Sequence, residues 1–376
     1  MPSLLPDVDT DGLLEYSVVF TDRSLNHMSQ KFQGVMKDIS STLKQVYNAD
    51  AVALVPGGGT YGMEAVARQL ATDKKCLIIR NGWFSYRWSQ ILDMGQIASE
   101  SIVLKARPVN KDHQAPFIPP PIEEVVETIQ REEPDIVFAP HVETSSGMLL
   151  PDDYLKSVAD AVHAVGGLFV LDCIASGTLW VDMKSTGVDV LISAPQKGWS
   201  ASPCCGLVMM NTDALGKVES STSSSFACDL KKWLQIMQAY ENDGHAYHAT
   251  MPTDALEKFH KTMQETKAYG FEKVRTEQLV LGESVRSLLK SKGFKSVAEK
   301  GFEAPGVVVY YTKDVTLHNG KAFLQQGLQI AAGVPLQCDE PEDFQTFRIG
   351  LFGLDKLHNT ERTVNNLEKA LQAITS

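Results

Sequence analysis

The stretch VDVLISAPQKGW, residues 188–199, runs an apolar segment straight into a lysine. Val188–Ile192 has the apolar, β-branched texture of a strand buried on both faces. Lys197 follows it between a glutamine and a glycine. A lysine so placed either snorkels to solvent or is a partly desolvated amine of lowered pKa, fit to form a Schiff base. The surrounding fold bears on the choice, because open α/β sheets bind ligands beyond the carboxyl ends of their strands.

Six more runs share that texture: AVALVP (51–56), CLIIR (76–80), SIVLKA (101–106), DIVFAPH (135–141), LFVLD (168–172) and CGLVMMN (205–211). Helical patterns separate many of them: one from about Thr60, a Trp- and Tyr-rich one after Arg80, then PIEEVVETIQREE and DDYLKSVADAVHAV. Alternation of this kind predicts an α/β fold, a mainly parallel seven-stranded sheet covered by helices. After about residue 252 the texture changes. A helical region from Thr253 to Lys290, interrupted at Gly270, precedes a strand (306–311), a helix near 321–327, a strand (344–352) and a last helix (359–375). The segment HNGKAF is read as a turn of this smaller α+β unit. The chain is therefore expected to comprise an N-terminal arm (1–20), a large domain (21–255) and a small C-terminal domain (256–376). The Ser-rich ESSTSSSF (219–226) reads as a mobile loop.

Bulk properties narrow the function. The 376 residues are 43% apolar and 22% charged, ordinary for a soluble globular protein. A net charge of −11 argues against a nucleic-acid partner, since phosphate binding needs a basic surface. No apolar run approaches the roughly 18–20 residues that span a bilayer, and MPSLLPDVDTDGLLEYS lacks the basic and apolar regions of a signal peptide. The six cysteines are scattered without a CxxC pair, so neither a metal site nor a disulfide framework is expected and a reducing cytoplasm is the default.

Three further strand ends carry polar groups. GGGTYG (57–62) stands between a strand and a helix, where glycine N–H groups and the helix dipole can cradle a phosphate. No GK[ST] follows and the full dinucleotide pattern is missing, so a tight turn alone would also explain it. Asp172 closes LFVLD; a buried carboxylate needs a partner, and a helix cap or an ion pair would serve. HVETSSG (141–147) is a polar cluster or a hydroxyl-rich turn. Lysine, strand-end aspartate and glycine cradle form a set that pyridoxal phosphate requires: an amine for its aldehyde, a carboxylate for its ring nitrogen, and amides for its phosphate.

Six ordered segments carry a family likeness: GGGTYGMEAVA, NGWFSYRW, HVETSSGMLLP, VLDCIAS followed 25 residues after its aspartate by the lysine of SAPQKGW, YHATMP and FRIGLFG. Together they resemble the class V aminotransferases of fold-type I, with the alanine–glyoxylate and serine–pyruvate enzymes the nearest likeness, from about Gln30 to the C-terminus. The resemblance implies a pyridoxal 5'-phosphate-dependent transferase acting on small amino acids and 2-oxo acids. By it, Lys197 would be the Schiff-base lysine and the proton carrier between Cα and C4′, and Asp172 would pair with the pyridinium nitrogen. Gly58, Gly59 and Thr60 would bind the phosphate. Gln196 would touch the ring's phenolic oxygen or the phosphate region, Thr144 would contact the cofactor near its ring oxygen or nitrogen, and Phe84, or its neighbour Trp83, would stack on the ring. Tyr247 and Thr250 would reach the phosphate from a second subunit, making a homodimer with shared sites. Arg348 would clamp the substrate carboxylate, although by itself it could be a surface ion-pair residue.

Two regions depart from the family pattern. The N-terminal segment DGLLEYSVVFTDRSLNHMS has no Gly-Pro pair, and GVPLQCDEPEDFQTFRIG is long for its place before the arginine. Other chemistries on the same fold are an aminophosphonate transaminase or lyase, and a cysteine desulfurase-like lyase. In the latter, Cys338, ten residues before Arg348, would be the nucleophile rather than a core thiol.

Overall fold

The computed structural model describes residues 7–375. The seven apolar runs are strands of one sheet: β1 (Ala51–Pro56), β2 (Lys75–Arg80), β3 (Glu100–Lys105), β4 (Ile136–Pro140), β5 (Leu168–Asp172), β6 (Val190–Ser193) and β7 (Cys205–Met210). Their order is β1-β7-β6-β5-β4-β2-β3. The pairs β3/β2, β2/β4, β4/β5 and β5/β6 are parallel, and β7 runs antiparallel to both β6 and β1. Six strands thus end on one edge. β4, β5, β6 and β7 are buried at every position, as strands covered on both faces must be. β3, at the sheet's margin, begins with two exposed residues.

Helices α1 (Gln30–Tyr47), α2 (Gly59–Leu70), α3 (Trp83–Gly95), α4 (Ile122–Glu132), α5 (Asp152–Ala164) and α6 (Leu230–Glu241) belong to this part of the chain. No motif quoted above predicts α1 or α6. Ser29 caps α1 by accepting from Phe32 N, Asn48 closes it in the left-handed conformation, and Phe32, Val35, Met36, Ile39 and Leu43 form its buried stripe. Phe32 meets Tyr240 of α6 edge to face.

α7 (Thr253–Tyr269) and α8 (Phe271–Ser291) break at Gly270, whose φ of 109° only glycine adopts readily. Leu256, Phe259 and Met263 of α7 pack in the core of the large sheet. Val274, Leu281, Val285 and Leu289 of α8 pack in a second core. That core covers the antiparallel sheet of β8 (Val307–Tyr311), β9 (Ala331–Ala332) and β10 (Thr346–Gly350), ordered β8-β10-β9, together with α9 (Thr360–Thr375). β10 is shorter than the expected 344–352. Phe344 N closes a turn onto Pro341 O, and Leu351 N crosses to Gly306 O. The HNGKAF segment turns at Gly320, φ 78°, between two short helices. The helix Thr212–Ser220 takes in the start of the Ser-rich tract, and Ser221 accepts from Gln69 at 2.8 Å. Among the described residues no helix is long and apolar enough to cross a membrane.

Candidate active site

The turn after β6 presents Lys197. Its neighbour Trp199 is fully buried among Trp180, Tyr47, Phe259 and Phe271 and anchors the turn in the core. A Cβ on Gly198 would lie 1.9 Å from Gly177 O, so glycine alone lets the turn lie this close to the chain after β5. Ser200 N donates to Lys197 O at 3.1 Å, and Ser200 Oγ accepts from Leu354 N at 2.9 Å. The Lys197 ammonium stands 5.2 Å from the Phe352 ring. Burial lowers its pKa, the nearby Arg348 and Arg87 lower it further, and Asp172 opposes them.

Asp172 ends β5 and is 6% exposed; its Oδ1 accepts from Ile174 N at 2.9 Å. Burial pushes the carboxyl up from 3.8 to about 7 against the Ile174 bond; Glu143 adds to the rise, while Arg87 and Lys197 oppose it. Between these two values the native state holds a proton that the unfolded chain has lost. This group therefore makes the protein less stable as pH rises from about 4 to about 7. In cofactor-free protein, Asp172→Asn is expected to remove that slope. Its melting temperature should pull ahead of the wild type across this window and keep a constant lead above it. Parallel melting curves at pH 4 and pH 8 would refute the shift.

His141 follows β4. Its N–H donates to Asp172 O at 2.8 Å and its Nδ1 faces Ser176 Oγ at 2.7 Å. Burial holds its pKa down at about 4, so the ring is neutral at pH 7. Glu143, fully buried, seats the start of α3. It accepts from Phe84 N (3.2 Å), Ser85 N (2.8 Å), Ser85 Oγ (2.7 Å), Ser145 N (3.0 Å) and Ser145 Oγ (2.7 Å). Ser145 Oγ in turn accepts from Trp83 N at 2.9 Å. The carboxylate satisfies the free amides of the helix and complements its dipole.

α2 begins differently. Gly58 caps it with no side chain, so no side-chain oxygen takes up the amides of its first turn. Gly59 lies against Ile174: a Cβ there would stand 2.4 Å from Ile174 Cδ1. Thr60 Oγ1 accepts from Arg87 Nη1 at 2.9 Å, and the Arg87 guanidinium lies 5.2 Å from the Phe84 ring.

Gly59, Thr60, Phe84, Thr144, Asp172, Gln196 and Lys197 line one cavity of about 170 Å³, with Arg87, Val142, Ile174 and Ala175 completing the wall. Gly58 stands one residue before it. Phe84, not Trp83, faces the cavity. Arg348 is on β10, with Nε donating to Ala332 O at 2.7 Å and its guanidinium 5.5 Å from the Phe84 ring. Burial lowers its pKa and Glu143 opposes the shift. Tyr247 and Thr250 are not in the wall; their hydroxyls face each other at 3.1 Å and Tyr247 is 54% exposed. Cys338 is 3% exposed, and burial pushes its thiol well up. A larger cleft, about 660 Å³, lies beside the end of α8 between Arg286, Lys290 and Glu299 and holds none of these groups.

A lysine, an aspartate and an open helix start gather at the carboxyl edge of a sheet ordered β1-β7-β6-β5-β4-β2-β3, and the fold is that of the fold-type I enzymes. The alanine–glyoxylate aminotransferase of Nostoc sp. superposes with a TM-score of 0.79 at 20% identity, over 94% of this chain and 89% of that one. The family model described as Aminotransferase class-V matches residues 7–352, and the chain belongs to that family: it is a class V transaminase. The match starts well before Gln30, so it takes in the atypical N-terminal segment, and it ends ahead of α9. A 2-aminoethylphosphonate–pyruvate transaminase of Burkholderia ambifaria is 27% identical over 380 residues, covering 96% of each chain. An L-aspartate–glyoxylate aminotransferase of Paracoccus denitrificans is 26% identical over 267 residues, 71% of this chain and 63% of that protein.

Proposed function

We propose that the protein uses pyridoxal 5'-phosphate to move an amino group from a small L-amino acid, alanine or serine, to a 2-oxo acid such as glyoxylate or pyruvate. The observation that carries this is a half-buried Lys197 of lowered pKa sharing one cavity with Asp172, beside an Arg348 that faces the Phe84 ring. The residues present fit the cofactor. Gln196 Oε1 is buried without a partner, the first turn of α2 has no side-chain cap, and the amine and the carboxylate line the same cavity.

The bound cofactor supplies an aldehyde for the amine and a ring that spreads the negative charge left on Cα. Lys197 takes the proton from Cα and returns it at C4′; burial keeps its amine more readily deprotonated than a solvated lysine. Asp172 holds a proton at the ring nitrogen, and that cation offsets the cost of burying the carboxylate. Gly58, Gly59 and Thr60 direct amides at the phosphate. Phe84 fixes the ring plane, and Thr144 and Gln196 meet the ring's polar substituents. Tyr247 and Thr250, both exposed and facing one another through their hydroxyls, act across the interface of a homodimer at a second copy's phosphate. A cytoplasmic setting suits six buried free cysteines.

A second reading has direct support: the relative matched over 96% of both chains is named for 2-aminoethylphosphonate. Arg348 would then hold a phosphonate, with Arg87 on the same Phe84 ring. The desulfurase-like reading is weaker, since Cys338 is a buried thiol whose sulfur faces Arg80 O and Leu336 O. Holoenzyme offered alanine, serine, aspartate and 2-aminoethylphosphonate with glyoxylate or pyruvate separates the readings. Arg348→Ala is expected to cut kcat/KM for the preferred anionic donor roughly 10²-fold, the loss of a charged bidentate contact of about 3 kcal/mol. Unchanged kinetics would reject the clamp; sulfide release from cysteine, lost in Cys338→Ser, would reverse the preference.

A further inference from the structure

Arg80 is a buried cation without a counter-charge. It closes β2, is 8% exposed, and makes no ion pair among the described residues; its Nε has no acceptor. Burying a guanidinium this way is costly unless its remaining donors are used. They are used in two directions. Toward α3, Nη2 donates to Ser89 Oγ at 2.8 Å and the guanidinium lies 4.6 Å from the Tyr86 ring. Toward the small sheet, Nη1 donates to Gln337 O at 3.2 Å.

Gln337 lies in the segment that joins β9 to β10. Ala331 pairs with Arg348 across this hairpin, and Ala332 O accepts the Arg348 Nε–H. The segment is itself shaped for docking. Glu340 gathers the N–H groups of Leu336, Gln337 and Cys338 at 2.6, 3.0 and 2.8 Å. Gln337 and Asp339 adopt left-handed φ values of 63° and 62°. Leu336 is fully buried, Cys338 Sγ donates to Arg80 O at 3.4 Å, and Asp339 pairs with Lys105 at the end of β3 at 2.7 Å.

One side chain therefore ties the helix that carries Phe84 to the hairpin that carries Arg348. We propose that Arg80 is a positioning residue of the transamination site: by clasping α3 and the β9–β10 hairpin it sets the spacing between the Arg348 guanidinium and the Phe84 ring, and so the affinity for the donor's anionic group. The proposal rests on the reading of Arg348 as that group's clamp. It explains why the segment before the arginine is long: it must reach back to the ends of β2 and β3. Arg80 does not line the cavity of Lys197 and Asp172 and acts only through the elements it clasps.

The test uses holoenzyme and two reagents that attack the same aldehyde, aminooxyacetate with a carboxylate and methoxyamine without one. Arg80→Met is expected to raise KM for the anionic donor about tenfold with kcat little changed, and to slow aminooxyacetate about tenfold, as a small misplacement of a binding group does. Methoxyamine should react at the wild-type rate. Arg80→Lys keeps the charge but lacks the fork, so it shares the loss, and it carries the test should Arg80→Met not fold. Added to Arg348→Ala, either change should slow aminooxyacetate no further. Equal slowing of both reagents would mean a merely structural role and would overturn the proposal, as would an unchanged KM. If Arg348→Ala alone leaves aminooxyacetate as fast as before, the clamp is what fails, and Arg80 has nothing to position.

Discussion

Lys197→Ala is expected to leave a folded protein that binds cofactor but does not transaminate, with kcat down by at least about 10⁴-fold. Two roles vanish with one amine. The covalent hold on the aldehyde is gone, and no group remains to carry the proton between Cα and C4′. The other titratable groups beside the cavity are poor substitutes. Arg87 and Arg348 are guanidinium donors without a basic lone pair to offer, and Asp172 is, on the proposed reading, engaged with the ring nitrogen. The absorption band of the lysine-bound cofactor should disappear, and borohydride should no longer fix cofactor to the peptide containing residue 197. Normal turnover by a purified, cofactor-loaded variant would be fatal to the proposed function.

Asp172→Asn should rank second, lowering kcat roughly 10²–10³-fold, the range found when one preorganised electrostatic partner of a developing charge is removed. Asparagine is close to isosteric, and its Oδ1 can still accept from Ile174 N, so the strand end stays formed. What it cannot do is hold a proton on a ring nitrogen by charge. The variant is thus expected to be more stable than the wild type without cofactor at neutral pH and far less active with it. That opposition distinguishes a functional carboxylate from a structural one. A D172N enzyme with near-normal kcat would remove Asp172 from the mechanism. Rates are read under saturating cofactor, so weaker cofactor binding is not mistaken for slower chemistry.

Much of this architecture is legible in the sequence because its signals are local. Seven apolar runs become seven strands, with ends within a residue or two, since burial on both faces requires uninterrupted apolar side chains. Lys197, Asp172 and Gly59 stand out because strand ends gather ligands. The residues the reading missed act at a distance. Glu143 sits inside a quoted motif, yet its partners Phe84 and Ser85 lie 59 and 58 positions away. Arg80 reads as the last residue of a strand, and its partner Gln337 lies 257 positions on. Arg87 falls three residues after Phe84, a spacing that places both on one helix face and could have flagged it. α1 was recoverable from Ser29 and the i, i+3, i+4, i+7 spacing of Phe32, Val35, Met36 and Ile39.

The two helix starts at the mouth of the sheet are not equivalent. Glu143 plugs α3 from within, so its amides have nothing left to offer an incoming anion, whereas α2 is left uncorked at Gly58 and Gly59. Of these two helix starts, α2 is the one with amides left for a dianion. On the proposed reading, an internal carboxylate thereby steers the heading of a phosphorylated guest before stacking or covalent chemistry begins.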